Sequence, residues 1–192
     1  MTEDKKRCEW PRKNPLMIEY HDKEWGVPLH DDRKLFEFLV LDAFQAGLSW
    51  EIVLKKREGF RKAFHNFDPK KIAKYTETDI TRLRNDADII RNNLKILATI
   101  INAQQFLKVK KEFGSFDKYI WKFTECKTIN NNVKSLKEIK AASKESGSMS
   151  RDLKDSGFKF TGSTICYAFM QAAGMVNDHT TDCFRYKELR NH

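Results

Sequence analysis

Apolar residues recur at helical spacing along most of the chain, and capping residues and breakers separate the apolar segments. The clearest segment begins near Arg33, with Asp31 and Asp32 available to cap it. Its apolar side chains, at positions 35–44, cover nearly every face of a helix. Because a helix that is apolar on all sides is a buried one, the pattern predicts a central helix enclosed by the rest of the chain.

The same reading predicts several more helices with short connections. Three of them begin after Ser49, at the Asp68-Pro69 pair and at Thr78. Three more cover residues 96–103, 116–123 and 150–156. A last helix is capped by Ser163 and ends at Gly174. Ile52, Val53 and Leu54 are expected to face the core. The polar stretch 126–148 is expected to be a long surface connection with room for one helical turn. Residues 1–30 are expected to be irregular but ordered, because prolines interrupt them. No strand is predicted, so the fold class is all-α.

A tight hairpin is predicted between two helices near the end of the chain, from Lys159 through Thr161 and Gly162 to Ser163. Backbone N–H groups of such a turn, with the first turn of the following helix, can bind a phosphate. The alternative is an ordinary turn between helices that binds nothing. The turn at 88–95 is a weaker second candidate for the same contact.

The bulk properties describe one globular domain, residues 1–192. No apolar run approaches the roughly 18 residues of a membrane span, and no secretory signal opens the chain. Both observations favour the cytoplasm and argue against a membrane. The formal net charge of +9 favours a polyanion as partner, with nucleic acid first. The alternative is a lysine-rich surface without such a partner.

One acidic residue stands among phenylalanines near the end of the central helix. A buried carboxylate such as Asp42 needs a partner or a shifted pKa, and Trp50 supplies a large flat face close to it. The Gly47-Leu48 step at the helix junction can turn an apolar side chain outward, although a leucine taken alone is more typical of a core. Together these residues indicate a pocket for a planar, polar ligand, including a cationic one.

Two cysteines and two histidines lie near the two ends of the chain: Cys8 and His21, then His179 and Cys183. The spacing of the second pair puts both side chains on one face of a helical turn. Two Cys with two His are the ligand set of a structural, tetrahedral zinc site. The alternative is unrelated free thiols and surface histidines. Asp178 is a candidate for orienting His179.

Several short motifs together identify a family. They are YHDKEWGVP at 20–28, QAGLSW at 45–50, VLKKRE at 53–58, GFKF at 157–160, GSTICY at 162–167 and NDH at 177–179. On these motifs the sequence closely resembles the 3-methyladenine DNA glycosylase I family, within the helix-hairpin-helix glycosylase superfamily. The resemblance runs from about Cys8 to Cys183.

The resemblance implies an all-α monofunctional glycosylase that acts as a monomer. Such an enzyme removes 3-methyladenine from alkylated double-stranded DNA and leaves an abasic site without cutting the strand. It also implies a zinc ion (Zn2+) that joins residues 1–30 to the tail 175–192. By matching position, the resemblance assigns metal binding to Cys8, His21, His179 and Cys183, and base binding to Tyr20, Trp50, Trp10 and Trp25. It assigns the wedge into the duplex to Gly47 and Leu48, and binding of the DNA backbone to Lys159, Thr161, Gly162 and Ser163. The residue at the position of the pocket carboxylate is Asp42.

The pocket carboxylate is where the sequence departs from the family pattern. The family residue is most familiar as glutamate, and aspartate shortens its reach by one methylene, about 1.5 Å. We expect either a pocket shifted inward or a bridging water. Trp50 and Tyr20 are expected at the faces of the base, with Trp10 and Trp25 as walls. Glu37, little more than one helical turn before Asp42, is expected to point elsewhere.

Two other functions compete with the enzyme. A non-catalytic module that binds damaged DNA would use the same hairpin with a pocket disabled by the aspartate. A zinc-stabilised transcription factor would need a recognition helix with base-reading side chains on one exposed face, and none is apparent. Release of a base from methylated DNA separates the enzyme from both.

Overall fold

A computed structural model describes residues 5–190 of the chain, and helices dominate that span. In chain order the helices are α1 (Pro15–Lys23), α2 (Asp32–Gln45), α3 (Trp50–Lys55), α4 (Arg57–Ala63), α5 (Pro69–Ile72), α6 (Glu77–Asn85), α7 (Asn93–Phe113), α8 (Phe116–Trp121), α9 (Lys144–Asp155), α10 (Ser163–Ala172) and α11 (Phe184–Leu189). Two 3₁₀ turns lie at Lys122–Thr124 and Leu136–Glu138, and two short strands are β1 (Ile129–Asn130) and β2 (Val176–Asn177). Within 5–190, none of the helices combines the length and the apolar character that crossing a membrane requires.

Helix α2 is the centre of the fold, as its apolar pattern predicts. Its N-cap is Asp31, whose side chain accepts the backbone N–H of Lys34 at 2.9 Å. Every residue from 35 to 44 is buried, including the two acidic residues Glu37 and Asp42. α10 packs against both α2 and α9. The predicted central helix is confirmed, and it carries an acidic side chain deep into the protein.

Helix α7 runs antiparallel to α2. At one end of the pair, the ammonium of Lys110 lies 2.7 Å from the carboxylate of Asp32. Further along, the ring centroids of Phe36 and Phe106 are 5.0 Å apart. At the other end, Lys95 donates hydrogen bonds to backbone carbonyls at the end of α2. The C-terminus of α2 and the N-terminus of α7 therefore meet at one edge of the molecule.

The N-terminal segment contains a helix, so the prediction that residues 1–30 are irregular is wrong over α1. The helix begins after Asn14, whose side-chain oxygen accepts the backbone N–H groups of Leu16 and Met17. Pro15 occupies the first helical position, where its missing N–H costs nothing because that group has no intrahelical partner. This proline starts a helix instead of breaking one.

The connection predicted at 126–148 is shorter and more structured than its polar composition indicates. β1 pairs in parallel with β2 over two residues, so the prediction that the chain has no strand is wrong. α9 begins at Lys144, earlier than the predicted start at Ser150. Its cap is Ser143, whose hydroxyl accepts the backbone N–H of Ser146 at 3.2 Å. Serine-rich sequence that reads as a loop contains a capping box in this case.

Helix α6 begins slightly before its predicted start at Thr78. Thr76 is the N-cap and forms a reciprocal capping box with Asp79. In that arrangement each side chain bonds the other residue's backbone N–H, which fixes the first turn at Glu77.

Helix α3 has the predicted cap and two of its three predicted core residues, Val53 and Leu54. The Ser49 hydroxyl accepts the backbone N–H of Ile52 at 3.4 Å. The Ile52 side chain is 41% exposed, so the prediction that it faces the core is wrong. In this six-residue helix the core positions belong to Val53 and Leu54.

Candidate active site and metal-ligand cluster

A cavity of about 390 Å³ is lined by residues of α1, α2, α3 and α10. Its volume lies within the usual range for small-molecule sites, about 300–1,000 Å³. The five residues predicted to hold a base all line it, namely Trp10, Tyr20, Trp25, Asp42 and Trp50. The fold thus brings together side chains from three separate helices, from the segment before α1 and from the turn after it.

Asp42 is the only acidic residue among the described residues that line this cavity. It is 2% exposed, and its Oδ2 atom has no hydrogen-bond partner within residues 5–190. Burial raises the pKa of Asp42 well above its ordinary value, because the charged form loses its hydration. Glu37 points elsewhere, as predicted, and accepts hydrogen bonds from Arg57 and Arg61. The cavity therefore holds one acidic group without a partner.

The aromatic residues form a connected cluster. The ring centroid of Trp10 lies 5.1 Å from that of Trp25 and 6.3 Å from that of Tyr20. The indole N–H groups of Trp10 and Trp50 are buried and have no acceptor among the described residues. Unpartnered buried donors and acceptors are rare in folded proteins. Two donors and the Asp42 oxygen in one cavity indicate a ligand that supplies the missing hydrogen bonds.

Tyr20 and Trp50 touch each other instead of leaving a slot. Their ring centroids are 5.3 Å apart and their planes are tilted by 49°. A base stacked between two parallel rings needs about 7 Å, which is twice the stacking distance of about 3.4 Å. In this conformation the two rings leave no room for a base stacked between them.

Gln171 adds an amide to the cavity wall, and a network behind the wall holds it. Its Nε2 atom donates to Asp178 Oδ2 at 2.8 Å, and the hydroxyl of Tyr167 donates to the same oxygen at 2.8 Å. The side chain of Asn131 donates to Asp178 Oδ1 at 2.6 Å. Both oxygens of this buried carboxylate are thus occupied.

The turn between α2 and α3 exposes the predicted wedge. Gly47 has a φ of +79° and nothing within 4 Å of an added Cβ, so the backbone conformation, not space, favours glycine. Leu48 is 39% exposed. The ammonium of Lys95 donates to the carbonyl of Phe44 at 2.8 Å and to that of Ala46 at 2.6 Å. Lys95, which belongs to the turn at 88–95 predicted as a weaker DNA contact, therefore satisfies carbonyls at the C-terminus of α2.

The predicted hairpin is present, but its left-handed backbone position is not the glycine. Phe160 has a φ of +55°, in the left-handed region, whereas Gly162 has a φ of −64°. Gly162 is also the N-cap of α10, so the prediction that Ser163 caps this helix is wrong. The first N–H groups of α10 have no intrahelical partner, as at every helix start.

The hairpin is fastened to α7 by a buried amide. Asn102 is 1% exposed and bonds both backbone groups of Lys159, accepting its N–H at 2.7 Å and donating to its carbonyl at 3.0 Å. The Lys159 side chain is exposed. Thr161 is 2% exposed, and its carbonyl accepts the hydroxyl of Ser150 at 2.6 Å. Of the predicted hairpin contacts, the Thr161 side chain is the one turned inward.

Cys8, His21, His179 and Cys183 converge on one buried point, with their ligand atoms all within 4.8 Å of one another. The His21 Nε2 to His179 Nδ1 distance is 3.2 Å, and Cys183 Sγ lies 3.5 and 3.6 Å from these nitrogens. Cys8 Sγ lies 3.6 Å from His179 Nδ1. Tetrahedral zinc with metal–sulfur bonds of about 2.3 Å and metal–nitrogen bonds of about 2.0–2.1 Å separates its ligand atoms by about 3.3–3.8 Å. The four residues fit such an ion.

Both histidines are oriented from behind. Asp22 Oδ1 lies 2.8 Å from His21 Nδ1, and the backbone carbonyl of Trp25 lies 2.9 Å from His179 Nε2. Each contact leaves the other ring nitrogen directed at the cluster, which is the usual outer arrangement of metal-bound histidines. The prediction that Asp178 orients His179 is wrong, because its carboxylate is turned to the network around Gln171.

Sequence reasoning missed part of the cavity wall. Leu136 and Ile139 line it, although they belong to a stretch predicted as surface connection. Gln45 and Gln171 line it as well. Gln45 lies in the QAGLSW motif and one helical turn after Asp42, which was a usable signal. No local pattern marks Leu136, because a chain segment that returns over a cavity from far away has no spacing to reveal it.

Comparisons with known proteins point in the same direction. The chain matches the model of the methyladenine glycosylase family over residues 10–186. It is 48% identical over 180 residues to the DNA-3-methyladenine glycosylase 1 of Escherichia coli (strain K12), covering 94% of this chain and 96% of that protein. A crystal structure of 3-methyladenine DNA glycosylase I is similar with a TM-score of 0.91 and 48% identity, covering 93% of this chain and 98% of that chain. A variant 3-methyladenine DNA glycosylase I, solved in complex with 3-methyladenine, gives a TM-score of 0.90 at 35% identity over 93% of this chain and 96% of that chain.

Proposed function

The chain belongs to the methyladenine glycosylase family, and from that premise we propose that it is a base-excision repair enzyme. It hydrolyses the N-glycosidic bond of 3-methyladenine in alkylated DNA and leaves an abasic site. The observation that carries this proposal is the Asp42 carboxyl group, which is buried in an aromatic cavity with one oxygen unpartnered among the described residues. The cavity has the size, the flat faces and the polar atoms that a methylated purine needs.

Asp42 recognises the damaged base by its charge. Methylation at N3 makes the adenine in the nucleotide cationic and weakens its bond to the sugar. In a site with little water, an anionic carboxylate attracts a cation far more strongly than in bulk solvent. A normal, neutral purine offers no such attraction and would leave the carboxyl group buried without a partner. The raised pKa of Asp42 then falls when the cation arrives, because the opposite charge favours the ionised form.

The aromatic cluster stabilises the extruded base. Taking a nucleotide out of the duplex costs a few kcal/mol, and stacking on aromatic side chains returns about 1–3 kcal/mol per base. Tyr20 and Trp50 offer ring faces, with Trp10 and Trp25 behind them. Water then forms a bond to the sugar carbon while the carbon–nitrogen bond breaks and its electron pair returns to the base. The water's proton passes to the solvent, and neutral 3-methyladenine leaves.

We propose that Cys8, His21, His179 and Cys183 hold a structural zinc ion. The fit of the ligand distances and the support behind both histidines are the reasons. When bound, the ion supplies a closed tie between the two ends of the chain and no open position for chemistry. Trp25 is held through its carbonyl by His179, so the tie also fixes one wall of the base cavity.

The remaining assignments follow from the same function. We propose that the partner is double-stranded DNA, bound by the hairpin at Lys159, Gly162 and Ser163 in the manner of the helix-hairpin-helix superfamily and wedged open by Leu48. We also propose that residues 1–192 act as one domain and as a monomer, in the cytoplasm with the DNA. The net charge of +9 supports a nucleic acid as partner.

The direct test is base release from methylated duplex DNA, with the freed base identified by chromatography. The chain is expected to release 3-methyladenine and to leave strands that break only on heating in alkali. Asp42→Asn keeps the volume but removes the charge, and is expected to slow release by about a hundredfold while zinc content and binding to an abasic duplex stay unchanged.

Asp42→Glu is the matched control, because it restores a carboxylate and the longer reach typical of the family. It is expected to retain release. No 3-methyladenine from the unmodified chain would contradict the proposed function, and release by Asp42→Asn at the original rate would reject the role of this carboxylate.

A further inference from the structure

Leu94 is the most exposed large apolar side chain in the described part of the molecule. It is 67% exposed, compared with 39% for Leu48 and 37% for Phe113. Single exposed leucines are common on protein surfaces, but the position of Leu94 points to a role. It lies in the first turn of α7, at the edge where α2 ends and the wedge turn begins.

Lys95 links the turn that carries Leu94 to the turn that carries the wedge. It follows Leu94 directly, and its ammonium donates to the carbonyls of Phe44 and Ala46. Ala46 is the residue before Gly47, so one lysine side chain joins the two turns. The turns that carry Leu48 and Leu94 therefore lie at the same edge of the molecule, close to the cavity that contains Asp42 and Gln45.

Two side-chain hydrogen bonds fasten the turn that carries Leu94. The Asn92 side chain accepts the backbone N–H of Lys95 at 3.1 Å and caps α7. The Asn93 side chain accepts a hydrogen bond from Arg84 at 2.7 Å. The Leu94 side chain has no part in the core, and a hydrogen-bonded turn that presents it to solvent is suited to meet a partner.

We propose that Leu94 is a second apolar contact with DNA, which packs against the duplex beside Leu48 when the damaged base occupies the cavity. The proposal rests on the proposed function. Three observations favour DNA as the occupant. The side chain continues the edge that carries the wedge, the exposed Arg91 precedes it in the same turn, and the whole chain carries a net charge of +9. Apolar side chains that press on base steps are a common means of holding a distorted duplex.

The test measures binding to a 20-base-pair duplex that contains a stable abasic-site analogue, so that no chemistry is needed. Leu94→Ser is expected to weaken binding by about three- to tenfold, since it removes an apolar contact worth roughly one leucine partly buried. Leu94→Met keeps an apolar side chain and is expected to bind normally. The salt dependence of binding is expected to be the same for all variants, because no charge changes.

Phe113→Ser is the matched control, because Phe113 is an exposed apolar residue at the opposite end of the same helix. It is expected to leave DNA binding unchanged. Equal affinity of Leu94→Ser and the unmodified chain would overturn the proposal, as would an equal loss in Phe113→Ser. A concentration-dependent dimer that Leu94→Ser abolishes would assign this surface to a second copy of the chain and would also overturn it. These outcomes leave base release by the unmodified chain intact, whereas absence of that release is a failure of the proposed function.

Discussion

The Asp42 carboxyl group costs folding free energy before any DNA is bound. It is 2% exposed, and one of its oxygens has no partner in the described part of the chain. An aspartate that only served stability would be better replaced by a neutral residue of similar size, since an unpaired buried acid favours the unfolded state. The cost is explained if the missing partner is the cationic base.

This cost predicts a pH dependence with a definite sign. Burial raises the pKa of Asp42 in the folded protein, while in the unfolded chain an aspartate ionises near its ordinary value of about 3.9. Below that pH both states are protonated and no penalty exists. As the pH rises, the unfolded state releases the proton first, so the penalty grows until the folded pKa is reached. Asp42→Asn is therefore expected to gain thermal stability over the unmodified chain as the pH rises from 4 to 7.

Thermal unfolding at several pH values measures this gain, with about 2–4 °C expected for each kcal/mol. Asp42→Glu is the control, because it keeps an ionisable group at the same site and its difference from the unmodified chain should not grow in this way. A stability difference between Asp42→Asn and the unmodified chain that is constant from pH 4 to 7 would show that the carboxyl group is already solvated or paired.

At the scale of elements, the junction between α2 and α3 depends on one lysine from α7. Lys95 is 6% exposed, and its ammonium donates to two carbonyls at the end of α2. Burial lowers the pKa of Lys95, because the ammonium loses part of its hydration. The hydrogen bonds offset this cost by satisfying carbonyls that a helix end leaves without partners. The turn with Gly47 and Leu48 begins at this point.

Lys95→Met is expected to destabilise the protein by about 1–3 kcal/mol, since it leaves buried carbonyls unsatisfied while keeping the apolar stem. Faster amide hydrogen exchange is expected to be confined to residues 45–49 and the start of α7. Lys108→Met removes the same charge from an exposed position on the same helix and is the control. Equal stability and equal exchange in the two variants would mean that Lys95 does not hold the turn.

Features of the fold that depend on one local segment could be predicted, whereas those that depend on context or on a distant partner could not. The central helix α2 was predictable because its apolar residues and its Asp31 cap act within one segment. The start of α1 was missed because Pro15 has opposite meanings at the first position and in the interior of a helix. The pairing of β1 with β2 was missed because a two-residue strand has too little pattern, and its partner lies far away in the chain.

The candidate site divides in the same way. Asp42, Gly47 and Trp50 share one motif, so a single stretch of sequence revealed them. Leu136 enters the cavity wall from the distant 3₁₀ turn, and Lys95 reaches the wedge turn from another helix. Only packing brings such residues together. The pattern also gave no reason to single out Leu94, because an exposed leucine acquires meaning from its place beside Leu48.

For the whole molecule, the metal-ligand cluster closes the chain into a loop. Cys8 comes from the segment before α1, and Cys183 precedes α11, yet both sulfur atoms meet the same two histidines. The ring of Trp25, a wall of the base cavity, lies 4.6 Å from that of His179. A metal ion bound by these four residues would therefore couple the stability of the two ends of the chain to the shape of the cavity.

Removal of the metal tests whether the cluster stabilises the whole molecule. The purified chain is expected to contain one zinc ion, and stripping it with a chelator is expected to lower the thermal midpoint by about 10 °C. A ligand present at a thousandfold its Kd contributes about 4 kcal/mol, and each kcal/mol corresponds to about 2–4 °C for a chain of this size. Tryptophan fluorescence is expected to change in the same titration, because Trp25 lies against a ligand.

Cysteine variants separate the site from general thiol chemistry. Cys8→Ser is expected to lose the ion and to unfold at the lower temperature without any chelator. Cys126→Ser is the control, because Cys126 is exposed and outside the cluster. Because thiolates and neutral histidines bind the ion, its affinity is expected to fall as the pH is lowered. A chain that carries no zinc, or that keeps its thermal midpoint and its fluorescence after chelation, would leave the two ends held by packing alone, and the wall formed by Trp25 would then need no metal.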